Sequence, residues 1–235
     1  KHGHDAVQAT QAMIDGHAKA LICLGGNFAV AMPDHENGFP AMHTLDLSVH
    51  VGTKLNRTHL LVGKETYILP CLGRTELDMQ QTGRQSITVE DSMSMVHASS
   101  GKLKPASPLI RSEPAIVAGM ARATLKQTKV NWMELVTDYD LIRELIEQTI
   151  PGFDNYNDRI RVPGGFRMPL PPIQRIWPTA TGKAMFSVFD GVDENAKGEG
   201  DNVLRLITLR SHDQYNTTIY ALDDRYRGVF GRRDI

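Results

Sequence analysis

Three short apolar runs follow one another early in the sequence, at residues 20–24, 47–51 and 66–69. Segments with helical character separate them, so strands alternate with helices along the chain. Strands joined by helical crossovers form a parallel sheet, and parallel strands end at the same edge of the sheet. The pattern therefore predicts an α/β fold, specifically a partial doubly wound (Rossmann-like) parallel sheet, with any ligand beyond the carboxyl ends of its strands.

Two helical segments follow the predicted sheet. The first covers 112–125, with Ser112 as its N-cap. The second covers 131–150, where Asp138 is predicted to cap a restart after a break. Apolar residues recur at helical spacing in both segments and indicate core-facing stripes, whereas Arg143 is predicted to lie on a solvated face.

Proline and glycine are concentrated in residues 151–178, a composition that interrupts regular structure. We interpret 151–178 as a covering loop and as the boundary between two portions of the chain. Residues 1–150 then form the α/β portion, and residues 179–235 begin a β-rich portion.

Composition excludes several classes of protein. A formal net charge of -1 with 23% charged residues gives no basic excess for nucleic acid or anionic membranes. No apolar run reaches the roughly 18 residues that a membrane span needs. Cys23 and Cys71 are too few for a disulfide framework, and neither has a Cys or His at metal-ligand spacing. A reducing, cytoplasmic compartment and the absence of a metal site in this chain are the resulting expectations.

The first predicted strand ends in Gly25-Gly26-Asn27. Two successive residues without a Cβ let backbone amides approach a phosphate or ribose closely. A tight turn without a ligand is the alternative interpretation, and the pattern is not the G-x-G-x-x-G fingerprint.

Polar side chains also follow the second predicted strand, where Thr53 and Asn56 are candidates for base or ribose contacts. Two adjacent strand ends would form one polar crevice at the edge of a doubly wound sheet. A solvated loop that leads into a helix is an equally open interpretation.

A second concentration of polar donors follows a strand-like run at 204–209. Such donors at one sheet edge suit a phosphate-rich or heteroaromatic ligand, although a polar loop after a strand is the alternative. The candidate ligand-binding residues here are Arg210, Ser211, His212, Gln214, Asn216, Thr217 and Thr218.

Paired carboxylates near Arg84 could act in acid and base chemistry. A carboxylate next to an arginine is held ionised and is a poor proton donor, so Arg84 is instead expected to organise a buried loop. No catalytic role is therefore assigned to Glu76, Asp78, Glu90 or Asp91.

Four segments, in this order, resemble molybdopterin-dependent oxidoreductases, and most closely the formate-dehydrogenase-like alpha subunits of the YdeP type. The resemblance extends over nearly the whole chain. The segments are 24–34, then 67–70 with 82–85, then Thr-x-Thr-Gly-Lys-Ala-x-Phe at 179–186, and Leu-x-Thr-x-Arg-Ser-x-Asp-Gln-Tyr-Asn-Thr at 206–217.

The resemblance implies that residues 1–150 are part of a dinucleotide-binding domain and that residues 179–235 begin the C-terminal cofactor-binding domain of a longer enzyme. It implies a bis-molybdopterin guanine dinucleotide cofactor with molybdenum or tungsten, and formate-dehydrogenase-like two-electron redox chemistry. Gly26, Asn27 and Phe28 would lie near the nucleotide, with Phe28 where many relatives have proline.

The resemblance places the iron–sulfur cysteines and any protein ligand to the metal outside this chain, which alone is expected to be inactive. The substrate and the electron-transfer partner stay unidentified. A noncatalytic nucleotide-binding or regulatory α/β module is the alternative that the sequence leaves open.

Overall fold

The structure, a computed structural model, describes residues 3–188, 202, 214–215, 218–219, 223, 228, 230 and 231. The chain divides into two compact units, Lys1–Pro169 and Leu170–Ile235. Each unit is described by itself below.

The first unit contains a parallel sheet of three strands. These are β1 (Ala20–Leu24), β2 (Leu47–Gly52) and β3 (Glu65–Pro70), in the order β1-β2-β3. Their register aligns Ile22 with Val49, and Val49 with Tyr67. The α/β class and the three strands predicted from the sequence are confirmed.

Three helices and a 3-10 helix lie along the chain between these strands or before them. They are α1 (Ala6–Ile14), α2 (Phe28–Ala31), α3 (His35–His43) and the 3-10 helix Arg57–Leu60. On one face of the sheet, Leu21 packs against a core cluster that includes Met13 of α1, Met42 of α3 and Leu45. This cluster packs α1 and α3 against that face of the sheet.

On the opposite face, α4 (Glu113–Thr124) packs over β2 and the end of β3. Ile116 and Met120 of α4 pack against Val49 and Val51. Ser112 caps the helix, because its Oγ accepts a hydrogen bond of 3.4 Å from the Ala115 amide. The first predicted helix is therefore confirmed, including its N-cap.

The rest of the first unit combines short antiparallel strands with helices. The helices are α5 (Trp132–Leu135), α6 (Tyr139–Thr149) and α7 (Tyr156–Arg161). The strands are β4 (Met79–Gln80) with β5 (Gly83–Arg84), and β6 (Ile87–Glu90), β7 (Met95–Ser99) and β8 (Phe166–Arg167) in the order β6-β7-β8. Asp138 caps α6 by accepting from the Asp140 amide at 2.9 Å, so the predicted restart is also confirmed.

Arg143 does not lie on a solvated face, so that prediction was wrong. Its side chain is only 5% exposed and forms an ion pair with Asp140. It also donates to the Ser86 carbonyl at 2.9 Å and to Asn157 Oδ1 at 2.6 Å. Burial is tolerated because these three acceptors satisfy the guanidinium.

The segment 151–178, expected to be a covering loop, contains regular structure, namely α7, β8 and a 3-10 helix. Tyr156 and Ile160 of α7 and Phe166 of β8 share a core cluster with Val96 of β7. The break between the units falls after Pro169. This break lies within the predicted boundary segment. Proline and glycine content did not predict α7 and β8, because contacts with β7 stabilise these two elements.

In the second unit, the described elements are a 3-10 helix at Pro171–Gln174 and two short antiparallel strands, β9 (Gln214–Tyr215) and β10 (Thr218–Ile219). The β-rich character of residues 179–235 stays a prediction. No helix among the described residues has the length and apolar character that crossing a bilayer requires.

Candidate functional site

The carboxyl ends of the parallel strands lead into the candidate site. Gly25 and Gly26 follow β1 with φ angles of 63° and 69°, which a residue with a Cβ adopts only under strain. The Gly25 amide donates to the Val51 carbonyl at 2.7 Å, which extends the pairing of β1 with β2 by one residue. The predicted loop therefore leaves the sheet in a conformation that favours glycine.

Asn56 joins the loop after β2 to the loop after β1. Its Nδ2 donates to the Gly26 carbonyl at 2.6 Å. Its Oδ1 accepts from the Thr58 amide at 2.9 Å and thereby caps the 3-10 helix. The structure thus brings together two residues that the sequence placed at separate strand ends.

Thr58 is a site residue that the sequence reasoning missed. Its side chain is 2% exposed, and its hydroxyl donates to Asn27 Oδ1 at 3.1 Å while it accepts from the Ala29 amide at 3.0 Å. It therefore fixes the start of α2 and the Asn27 side chain. The Asn-x-Thr spacing at 56–58 was the available signal, because an asparagine often caps the amide two residues on.

The surface that stays open at these strand ends includes Gly25, Gly26 and Thr53, all of which are exposed. A Cβ on Gly26 would meet nothing within 4 Å, and one on Gly25 would meet only Glu113 Oε1, at 3.9 Å. Phe28, in contrast, packs against the core cluster of Met42 and Leu45. The described crevice thus offers backbone groups, a hydroxyl and a carboxylate.

Glu76 lies close to Thr53, because a Cβ on Gly73 would be 3.6 Å from Glu76 Oε2 and 3.8 Å from Thr53 Cγ2. The Glu76 carboxylate binds two backbone amides. Oε2 accepts from Gly73 at 2.7 Å, and Oε1 accepts from Ala106 at 2.9 Å. Glu76, Glu113 and Ser99 line a cavity of about 90 Å³ beside it. Because both oxygens of Glu76 are engaged, the side chain stabilises the loop.

Asp78 is held in a similar way. Tyr139 donates its hydroxyl to Asp78 Oδ2 at 2.5 Å, and Ser112 Oγ lies 2.6 Å from the same hydroxyl. Burial, together with the Asp78 carboxylate, raises the pKa of the Tyr139 phenol. Arg84 is exposed, and it donates to Ser100 Oγ at 2.8 Å and to the carbonyl of the buried Gly101 at 2.7 Å.

Two buried titratable groups lie near the strand ends. Burial, with smaller contributions from the charges of Glu113 and Glu76, raises the pKa of Cys71 to about 11. The thiol therefore stays protonated at neutral pH, which makes it a poor nucleophile and metal ligand. The described residues include no group of three or more His, Cys, Asp or Glu side chains that could hold a metal ion.

His50 on β2 is 1% exposed, and neither ring nitrogen has a hydrogen-bond partner among the described residues. Its ring centroid lies 5.0 Å from that of His59. Burial, with a smaller contribution from the neighbouring His59, lowers the pKa of His50 and favours the neutral ring.

The predicted C-terminal donors fall largely outside the described residues. This applies to Arg210, Ser211, His212, Asn216 and Thr217. Gln214 and Thr218 lie on β9 and β10, which pair with each other. Their assignment to a ligand stays a prediction.

Comparison with known proteins shows clear relatives. The chain is 55% identical to protein YdeP of Escherichia coli over 233 residues, which is 99% of this chain and 31% of that protein. The same values hold for protein YdeP of Shigella flexneri. An uncharacterized oxidoreductase of Mycobacterium tuberculosis is 48% identical over 236 residues.

No protein-family model matches the chain. The chain spans about a third of the length of these curated relatives, since it covers 31% or 30% of each. It is therefore related by sequence to longer proteins, some of which carry the name oxidoreductase.

Proposed function

We propose that this chain is a portion of a molybdenum or tungsten oxidoreductase and that it supplies one wall of the site for a bis-molybdopterin guanine dinucleotide cofactor. The observation that carries the proposal is the hydrogen bond from Asn56 Nδ2 to the Gly26 carbonyl, at 2.6 Å. It holds the loops after β1 and β2 as one crevice at the carboxyl ends of parallel strands, where α/β sheets bind nucleotides.

The relatives support a redox function in general. The Mycobacterium tuberculosis relative is named as an oxidoreductase, and the match covers 100% of this chain. The chain matches only about a third of the length of each relative. This supports the proposal that it contributes binding surface to a larger enzyme. The identity of the cofactor is our proposal from the sequence motifs and the crevice.

The groups in the crevice fit the nucleotide half of such a cofactor. Gly26 offers close backbone approach, and Thr53 offers an exposed hydroxyl. A guanine or ribose presents both donors and acceptors, which backbone amides, a hydroxyl and the nearby Glu113 carboxylate can pair. We propose that the charged parts of the cofactor meet Arg210 and His212, with Ser211, Gln214, Asn216, Thr217 and Thr218 beside them.

When bound, the cofactor would supply two-electron redox chemistry through its metal. This chain would bind and orient the nucleotide. Asn56 and Thr58 would keep the loops in place before the ligand arrives, and this reduces the ordering cost of binding. The ligands to the metal and any iron–sulfur cluster would come from outside this chain.

The experiment is metal and nucleotide analysis of the full-length protein that carries this chain. We expect molybdenum or tungsten, and release of GMP by acid hydrolysis of the cofactor pyrophosphate, with two GMP for each metal ion. The isolated 235-residue chain is the matched control and should contain neither. A full-length protein without either metal and without GMP would contradict the proposal and favour a noncatalytic nucleotide-binding module.

A further inference from the structure

Two largely apolar grooves lie next to each other beside α4 in the first unit. The first groove has a volume of about 440 Å³ and is lined by α4, the end of β3 and Leu109. The second groove has a volume of about 460 Å³ and is lined by the start of α4, the segments 77–80 and 105–110, and α5. Both are also lined by Arg111 and Ala115, so the two grooves adjoin at these residues.

The first groove is open because α4 presents small residues along it. Ala115, Gly119 and Ala123 line the groove and recur at every fourth position, which places them on one stripe of the helix. A Cβ on Gly119 would meet nothing within 4 Å. Leu109, which lines the same groove, is 86% exposed. A partner element can therefore approach α4 closely and bury Leu109.

The second groove combines methionine with aliphatic side chains. Met79 is 62% exposed and Met133 is 37% exposed. Leu77, Ile110 and Val136 line the groove with them. The cores of protein–protein interfaces are enriched in methionine and arginine and depleted of other charged residues. The composition of the second groove, with Arg111 at its junction with the first, is typical of such an interface core.

Arg111 is a cation between two apolar surfaces. Its side chain is exposed, and in the part of the chain that the structure describes it forms no ion pair. The carboxylate of Asp78 lines the second groove, but its oxygens accept from Tyr139 at 2.5 Å and from Gln80 at 2.6 Å. The guanidinium of Arg111 is thus available for a carboxylate from a partner, which an arginine can pair through two hydrogen bonds.

We propose that the two grooves bind a helical segment of a separate partner protein, in which a glutamate or aspartate lies between two groups of aliphatic side chains. The acid would pair with Arg111, and each aliphatic group would fill one groove. A helix presents such residues along one face at spacings of three and four. The surface is separate from the nucleotide crevice, because Gly26, Thr53 and Asn56 line neither groove.

The order of apolar groove, cation and apolar groove favours a protein segment over other anions. A fatty acid carries its charge at one end, so its pairing with Arg111 would leave one groove empty. A nucleic acid would bring a row of phosphates, which needs several lysines and arginines rather than apolar walls. A central acid with apolar groups on both sides matches the two grooves and Arg111 together.

The test measures the binding of two synthetic helical peptides of about twelve residues to the full-length protein that carries this chain. Both peptides have leucines on one face before and after a central position, which is glutamate in one peptide and glutamine in the other. We expect the glutamate peptide to bind about tenfold more tightly at low salt. Arg111→Gln should remove this preference, and Arg111→Glu should reverse it. Arg122→Gln, at an exposed position of α4 that lines neither groove, is the control.

The two grooves are tested separately with residues that are exposed, since truncation of an exposed side chain leaves the fold intact. Leu109→Ser in the first groove and Met79→Ser in the second should each weaken binding of the glutamate peptide by about fivefold or more. Leu60→Ser is the matched control, because Leu60 is 75% exposed and lines neither groove. Circular dichroism of each variant checks that it is folded.

Absence of binding of the glutamate peptide at about 1 mM would show that the grooves are covered in the longer protein and would overturn the proposal. Equal binding of the two peptides to the wild type would overturn it as well, because Arg111 would then have no role. A loss in only one of the two groove variants would contradict it in favour of a ligand that fills a single groove, such as a fatty acid.

Discussion

At the scale of single residues, Asn56 connects the sequence to the candidate site most directly. One end of its amide caps a 3-10 helix, and the other end holds the Gly26 carbonyl. A residue that the sequence predicts as a ligand contact is thus part of the scaffold, and its contact with a ligand stays a prediction. Both roles need the amide, because only a group with a donor and an acceptor satisfies both neighbours.

We predict that Asn56→Ala lowers the free energy of unfolding by about 1–3 kcal/mol, since the cap and the hydrogen bond to Gly26 are lost together. Asn56→Ser keeps a capping oxygen but cannot reach Gly26, so it should cost about 1 kcal/mol. Urea unfolding of the 235-residue chain measures both. A serine variant as stable as the wild type would show that the link between the loops does not stabilise the fold.

His50 makes stability depend on pH. Its pKa in the folded chain is lowered, whereas an unfolded histidine titrates near about 6.5. The unfolded state therefore binds more protons as the pH falls below that value, and stability should decrease from pH 7 to pH 5.

His50→Leu should flatten this dependence. At pH 7 the variant should be as stable as the wild type or more so, because it removes two buried nitrogens without a hydrogen-bond partner in the described part of the chain. Urea unfolding at pH 7, 6 and 5 gives the comparison, with His17→Leu, at an exposed position, as the control. A loss of more than about 2 kcal/mol at pH 7 would indicate that a His50 nitrogen forms a needed hydrogen bond.

At the scale of elements, the loop that contains Glu76 depends on a close approach between two segments. The Leu77 amide donates to the Leu103 carbonyl at 2.8 Å. Gly101 is buried beside this contact, and a Cβ there would lie 1.9 Å from the Glu76 carbonyl oxygen. Only glycine lets the segments pair while Glu76 binds the Gly73 and Ala106 amides.

We predict that Gly101→Ala lowers the free energy of unfolding by about 1–3 kcal/mol, because a clash with the backbone forces the segments apart. Gly119→Ala is the control, since a Cβ at this position of α4 would meet nothing within 4 Å. There alanine should stabilise by up to about 1 kcal/mol through its higher helix propensity. Thermal unfolding distinguishes the two, and a neutral Gly101→Ala would contradict the close approach.

At the scale of the whole molecule, we propose that the loops after β1 and β2 form one wall of a nucleotide crevice. We predict that the isolated chain binds GDP weakly and ADP more weakly still, because guanine offers ring and amino donors that the Glu113 carboxylate can accept. Ligand-observed NMR with both nucleotides is the measurement, and Asp154→Asn, far along the chain from the crevice, is the control variant. A preference for ADP would count against a guanine site.

The sequence by itself determined the local elements. Apolar runs predicted β1, β2 and β3, and the Ser112 and Asp138 caps predicted where two helices begin. These features follow from periodicity and from capping, which act over a few residues. The sequence also placed Gly26 and Asn56 at strand ends of a parallel sheet, where they were expected to share a crevice.

Only the tertiary structure decided which side chains are buried and which loops touch. The position of Arg143 on its helix predicted a solvated side chain. The side chain is buried instead, where it donates hydrogen bonds to Ser86 and Asn157 from other parts of the chain. Thr58 belongs to the site because its hydroxyl forms hydrogen bonds with Asn27 and Ala29, about thirty residues earlier along the chain. Such contacts depend on how elements pack, and no local pattern specifies them, so the sequence could identify the strand ends but not the hydrogen bonds that join them.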